Sequence, residues 1–408
     1  MDKVTLDISD IAHGGAGIGR ASRGRTIFVP LTLPGEKVRA QIVSQKNKYA
    51  QAALVQVLRA SPERVAPRCP HFAVCGGCHF QHMSYEAQLA AKESVVRDQL
   101  ARLGGFKRAN VLPVLPNPEP WGYRVEMVLS PVGNGRTGYW SPVQREVIPI
   151  EECPIARPDL VALLQDVELD LPGLRKLSLR VGDDEALLAA IEVNGVELPE
   201  LEADFPVSVA IVLPDKTAAS LVGDFYSVQQ INGRDFRVSP GVALAPSPVG
   251  MELVVQTVLR YAALSGEENV IELYSGAGTL TAFLAQQAAE IVAVERNTDA
   301  VADLTVNLND LDNVNVFEGN VETVLPLMPE SVELMVAHPD ASGLSRKAVT
   351  AVSRAKPLKF IYVSSDVATL ARDGRSLVKA GYRLVEVQPI DMQPQTFHIE
   401  TVSLWVRE

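Results

Sequence analysis

The sequence predicts a multi-domain α/β protein: an N-terminal OB-like β-barrel, an α+β central domain and a C-terminal Rossmann-like domain. Three observations predict it. Over residues 1–60, short β-rich runs (VTLDI, TIFVPL, KVRAQIV, AALVQVL) alternate with turn signals (HGGAGIG, SRGR, LPGE), the rhythm of a small barrel. Residues 110–250 mix strands, Pro/Gly turns and acidic loops. From 251 to 408 helix and strand patterns alternate, which implies a largely parallel sheet covered on both faces. The expected domains are therefore 1–60, 61–250 and 251–408.

The barrel region carries the first functional signal. Net charge is −11 and pI about 5.2, which argues against a protein that coats nucleic acid. The charge is uneven, however. Residues 20–68 hold ten basic side chains, Arg23 among them, against only Glu36 and Glu63, whereas 183–204 is strongly acidic. A locally basic module on an acidic body points to RNA as partner. Phe28 and Tyr49 are either barrel core or stacking platforms for bases. No apolar run reaches the length of a membrane span, and MDKVTLDISDIAHGG has no apolar core of a signal peptide, so the expectation is a cytoplasmic protein without a membrane partner; a monomer is expected as well.

SPERVAPRCP reads as a proline-marked linker into CPHFAVCGGC. Three of the four cysteines, Cys69, Cys75 and Cys78, fall there, and the fourth is Cys153. A cytosolic chain rarely uses cysteines for disulfides, so a metal site is the better reading, with zinc and an iron–sulfur cluster both open on spacing alone. SYEAQLAAKESVVRDQLARL, residues 84–103, follows as a helix, Ser84 its N-cap and Gly104-Gly105 its stop.

In the C-terminal half, NVIELYSGAGTLTAFLA reads as buried strand, glycine loop and helix. Gly276 and Gly278 permit close ligand approach beside Tyr274. The next strand, EIVAVERN, ends in Glu295, which can accept both ribose hydroxyls of an adenosine; NVNVFEGN ends in Asn320, placed to meet an adenine edge. The spacing is not that of a dinucleotide fingerprint, and the three features in register suggest S-adenosylmethionine. In IYVSSDVATLARD a strand feeds a helix through Ser364 and Ser365, where chemistry usually occurs in such a sheet.

Five stretches in order now resemble one family along nearly the whole chain: HGGAGIGR through HFQHMSYEAQLAAKE, WGYRVEM, ELYSGAGTL, YVSSDVATLARD and PQTFHIETVSLW. They are similar to the S-adenosylmethionine-dependent RNA (uracil-C5) methyltransferases that modify 23S rRNA. The resemblance implies a TRAM domain as the barrel, Cys69, Cys75, Cys78 and Cys153 as ligands of a [4Fe-4S] cluster, and Glu400 as the proton-abstracting base. It makes His71, His79 and His82 unnecessary as ligands. It also implies a mechanism in which a cysteine thiolate adds to uracil C6 before methyl transfer to C5.

The chain departs from that pattern at one place. Ser365 matches the nucleophilic cysteine, His338 the aspartate of the family's Asp-Pro-Pro-Arg motif, and Ala341 its arginine. VALAPS, residues 242–247, replaces the family's aromatic and glutamine segment, and Asp366-Val367 its Asn-Pro. A serine hydroxyl ionises far less readily than a thiol of pKa ~8.5. The expectation is an RNA-binding homologue without uracil-C5 methylation; the alternative is a methyltransferase using non-covalent chemistry, with His338 and Glu400 as candidate bases.

Overall fold

The computed structural model describes residues 3–21, 24–167, 169, 171–195, 206–214, 218–328 and 330–408. Arg23 of the basic stretch and 196–204 of the acidic stretch lie outside the described residues.

The first 60 residues close into a five-stranded barrel in the order β1-β2-β3-β5-β4: β1 (Lys3–Ile11), β2 (Gly17–Arg20), β3 (Thr26–Val29), β4 (Lys37–Gln45) and β5 (Tyr49–Arg59). Alternation along these strands puts Leu6, Ile8, Ile27, Val29, Val38 and Ala40 inside. One expectation is corrected here. HGGAGIG reads as a turn, yet its second half enters β2, because Gly17 and Gly19 pair with Val29 and Ile27 where any side chain would collide: a Cβ on Gly17 would sit 2.1 Å from Thr32 Oγ1.

Helix α1 (Tyr85–Gln99) starts where Ser84 Oγ accepts the Ala87 N–H, and ends in a single π-turn, Leu100–Gly104, stopped by Gly105 in the left-handed conformation. A seven-stranded sheet follows, in the order β12-β11-β10-β9-β6-β7-β8. Its strands are β6 (Glu126–Gly133), β7 (Arg136–Ser141), β8 (Glu146–Pro149), β9 (Leu174–Val181), β10 (Leu187–Val193), β11 (Ser208–Val212) and β12 (Ala218–Val222). α2 (Pro158–Asp166) packs its Leu160, Leu163 and Leu164 on one face. A hairpin, β13 (Ser227–Ile231) and β14 (Arg234–Val238), then leads to α3 (Pro248–Ala262), and both share a core with the C-terminal sheet.

That sheet has the order β17-β16-β15-β18-β19-β21-β20. Five strands are parallel: β15 (Asn269–Leu273), β16 (Glu290–Glu295), β17 (Val314–Glu318), β18 (Leu334–Ala337) and β19 (Lys359–Ser364). The last two, β20 (Tyr382–Ile390) and β21 (Glu400–Arg407), are antiparallel, with β21 inserted beside β19. Helices α4 (Thr279–Ala285), α5 (Thr298–Asn307), α6 (Val321–Val324), α7 (Arg346–Ala355) and α8 (Val367–Lys379) connect them. The order reverses at β15, so a crevice opens at the carboxyl ends of β15, β16 and β18. Among the described residues no helix is long and apolar enough to cross a membrane.

Two long-range clamps hold this frame together. Lys92 of α1 is buried and donates to Asp391 at 2.5 Å and to the Gln393 carbonyl at 3.1 Å. Arg180 of β9 pairs with Glu126 and donates to the carbonyls of Ser239 and Val242, holding the segment that precedes α3.

Candidate active site

The crevice at the switch point contains the residues expected at a nucleotide site. Tyr274 (φ 61°) and Gly276 (φ 55°) turn the chain sharply after β15, and Gly278 (φ 87°) opens α4. A Cβ on Gly278 would meet Leu304 at 3.1 Å and Leu308 at 3.2 Å, so only glycine lets the loop lie on α5. The Glu295 carboxylate, at the end of β16, fixes that loop: it accepts the Gly276 N–H at 3.0 Å, the Arg296 N–H at 2.7 Å and the Asn297 N–H at 2.8 Å. A pocket here is walled by Tyr274, Glu295, Asn320, Pro339, Asp340 and Gly343. Asn320 precedes α6, and its side chain makes no cap bond. Gly276 and Gly278 shape this wall from behind rather than line it. Asp340 is a turn residue, accepting from Ser342 N–H and Oγ.

Three neighbouring strands bring the second group together. His338 directly follows β18, Ser364 ends β19 with Ser365 just after it, and β21 begins at Glu400; Ser364 opposes Thr401 in the ladder, and its carbonyl accepts the Thr401 hydroxyl at 2.9 Å. His338 Nε2 lies 3.8 Å from Glu400 Oε1. Glu400 is buried, and its Oε1 has no hydrogen-bond partner. Burial pushes the Glu400 carboxyl up to about 8 and the His338 imidazole down to about 4. At pH 7 the pair is therefore mainly a neutral acid facing a neutral imidazole, not an ion pair.

The two serines differ. Ser364 is buried and its Oγ donates to the Asp366 carbonyl at 3.0 Å, so its hydroxyl is structural. Ser365 is half-buried, and no histidine engages it among the described residues. His13 of the barrel instead meets Asp366 at 3.4 Å, and Asp366 also caps α8 by accepting the Thr369 N–H. The His13 contact holds the Asp366 carboxyl below its usual range. This contact joins the β1–β2 loop of the barrel to the crevice, a link no local sequence signal announces.

VALAPS does not line the pocket. Its Ala245 carbonyl accepts from Gln229 at 2.9 Å, and Ser247 caps α3 while accepting from Asn117 at 2.9 Å.

The four cysteines are unpaired and line one chamber with Arg124, Tyr139 and Gln81. Among the described residues no three His, Cys, Asp or Glu side chains converge tightly enough to hold a single metal ion. Burial raises the Cys69 and Cys75 thiols and pushes Cys78 up to about 12. In the same region Gln81 Nε2 and Tyr139 Oη are buried without hydrogen-bond partners.

Comparisons with known proteins agree with this architecture. The TRAM domain family matches residues 2–55. A protein of Halalkalibacterium halodurans named as an uncharacterised RNA methyltransferase is 32% identical, over 99% of this chain and 96% of its own length. One of Bacillus cereus with the same designation is 33% identical, over 99% and 96%. Among solved structures, the Pyrococcus abyssi tRNA (uracil-54, C5)-methyltransferase in complex with S-adenosyl-L-homocysteine shares the fold, with a TM-score of 0.73 at 23% identity, covering 99% of this chain and all of that one. By its end-to-end similarity to these relatives, the chain, with its N-terminal TRAM domain, belongs to the RNA methyltransferase family.

Proposed function

We propose that this protein binds RNA and S-adenosylmethionine and does not methylate uracil C5 by the covalent route. One observation carries the reading: Ser365, which matches the family's nucleophilic cysteine, is engaged by no histidine among the described residues, while the crevice at the carboxyl ends of β15 and β16 retains a glycine loop, Glu295 and Asn320. The Glu295 carboxylate, with three backbone N–H groups already accepted, suits one ribose hydroxyl, and the uncommitted Asn320 amide suits an adenine edge. The bound cofactor would supply an electrophilic methyl group. For RNA, the half-buried Phe28 and Tyr49 rings sit edge to face at 5.7 Å outside the barrel core, with Lys46 Nζ 6.0 Å from the Tyr49 ring. That combination suits base stacking beside phosphate.

The cysteine chamber suits a [4Fe-4S] cluster. Four thiols face it, Arg124 lies in its wall to offset thiolate charge, and the unsatisfied Gln81 and Tyr139 groups are donors for cluster sulfur. Cys69, Cys75, Cys78 and Cys153 would hold the cluster, and its part here is structural.

The test is nucleoside analysis by mass spectrometry of rRNA incubated with purified protein and cofactor, alongside calorimetric titration of the cofactor. Expected are cofactor and RNA binding without 5-methyluridine. Formation of 5-methyluridine that Ser365→Ala abolishes would sink the proposal.

The His338–Glu400 pair favours a second reading. A neutral His338 Nε2 can take the proton from an RNA amino or hydroxyl group as that group is methylated, with no covalent enzyme adduct. Methylated products other than 5-methyluridine, lost in His338→Gln, would select it.

A further inference from the structure

Charge in the C-terminal domain is sharply segregated. Residues 251–340 contain 15 acidic and two basic side chains; residues 341–383 contain nine basic and two acidic. Both acids of the second stretch are engaged, Asp366 by His13 and the α8 N-terminus, Asp373 by Arg372 and the Tyr362 hydroxyl. Four of the bases are engaged as well: Lys356 with Glu330, Lys359 with the Ala262 carbonyl, Arg372 with Asp373 and Arg383 with Glu408. The remaining five, Arg346, Lys347 and Arg354 on α7 and Arg375 and Lys379 on α8, are exposed; among the described residues none is within ion-pair distance of a carboxylate, and only Lys347 lies near enough to one, Glu322, to help lower it. Lys107 and Arg108, just past the π-turn, are exposed and unpaired in the same way.

These side chains form one track. A groove between α6 and α7 contains Lys347 and Arg354; it shares Arg346 and Thr350 with a groove between α7 and α8. That groove shares Lys379 with a third, walled by Arg375, Lys107 and Arg108. At its other end the track shares Glu322 with the cofactor pocket. Basic side chains that repel one another are gathered along a path that begins at the nucleotide crevice, with Glu322 the acid at its start. A strand of regularly spaced negative charge matches that path. A membrane surface matches it poorly, because α7 exposes only Arg346, Lys347, Thr350 and Arg354, and Val378 is the single large apolar side chain exposed on α8, too little to insert.

We propose that the α7–α8 face is a phosphate track for RNA, holding the strand that runs on from the nucleotide in the crevice. It is a second contact, apart from the TRAM barrel, and rests on the RNA-binding reading above. Its contacts are to the backbone and read no sequence.

The test is fluorescence anisotropy with a labelled single-stranded RNA of ~30 nucleotides across a salt series. It compares the full-length protein with a variant carrying K347Q, R354Q, R375Q and K379Q. All four positions are exposed and glutamine is a good helix former, so the fold is expected to hold, checked by circular dichroism and melting. Each single-strand phosphate contact contributes ~0.7 to the slope of log K against log salt, so the slope should become shallower by about 2–3 and low-salt affinity should fall at least tenfold. A companion variant, R354K with R375K, keeps the charges and should bind like the wild type. Equal affinity and slope in the glutamine variant and the wild type would overturn the track while leaving barrel binding intact. A wild type that binds no RNA would overturn the RNA reading itself. Binding to phosphatidylglycerol vesicles that the glutamine variant loses, with RNA affinity unchanged, would overturn it in favour of a membrane face.

Discussion

Replacing Glu295 by glutamine separates two duties of one side chain. Its carboxylate accepts three backbone N–H groups at 2.7–3.0 Å, from Gly276, Arg296 and Asn297. A carboxylate offers about four acceptor sites, so about one is left for a ribose hydroxyl. Glutamine keeps one acceptor oxygen and turns an amide group toward donors. A hydrogen bond to a charged acceptor is worth about 1.5–3 kcal/mol, so the cofactor Kd should rise by about 10–150-fold. The assay is calorimetric titration of S-adenosylmethionine and S-adenosylhomocysteine into wild type and Glu295→Gln, with melting of the ligand-free proteins measured in parallel. An unchanged Kd with a lowered melting temperature would refute the reasoning, because Glu295 would then only pin the loop.

Other outcomes follow from the same geometry. Lys92→Ala should destabilise by about 3–5 kcal/mol in urea unfolding, since Asp391 would be left buried without its cation; a loss under ~1 kcal/mol would show that water reaches the site. The Glu400 carboxyl is raised in the folded state, so the folded protein holds that proton where the unfolded chain releases it, and the Glu400 contribution to stability falls as pH rises from the unfolded value toward 8, opposed below the ordinary histidine value by the lowered His338. Glu400→Gln removes this dependence, and its stability relative to wild type should grow by on the order of 1 kcal/mol per pH unit across that window. A constant difference between the two proteins at every pH would contradict it. Anaerobic reconstitution with iron and sulfide should load wild type with both in equal amounts and fail in Cys78→Ser; equal loading of the two proteins would remove Cys78 from the ligand set.

Much of this protein is written in local pattern. Short β-rich runs between Gly and Pro turn signals marked four of the barrel strands, because strand and turn preferences are local. Ser84 and Gly105 bounded α1 through cap chemistry that is purely local. Gly278 and Glu295 marked the crevice because a tight loop and a strand-end acid are short-range requirements. β2 escaped notice, since its glycines signal a turn until β3 lies against them.

What required the tertiary structure is every pairing of distant residues. Lys92 and Asp391 are 299 positions apart, and Lys92 reads as an ordinary helix-surface lysine until the C-terminal segment covers it. His338 and Glu400 meet only because β21 inserts beside β19, and their opposite pKa shifts come from the burial that insertion creates. His13 reaches Asp366 only once the barrel docks at the crevice. The basic residues of α7 and α8 become a track only when two helices and the turn after the π-turn share one surface. The sequence by itself determined which residues were present and which short elements they form; burial and proximity, which decide charge state and chemistry, belong to the folded chain alone.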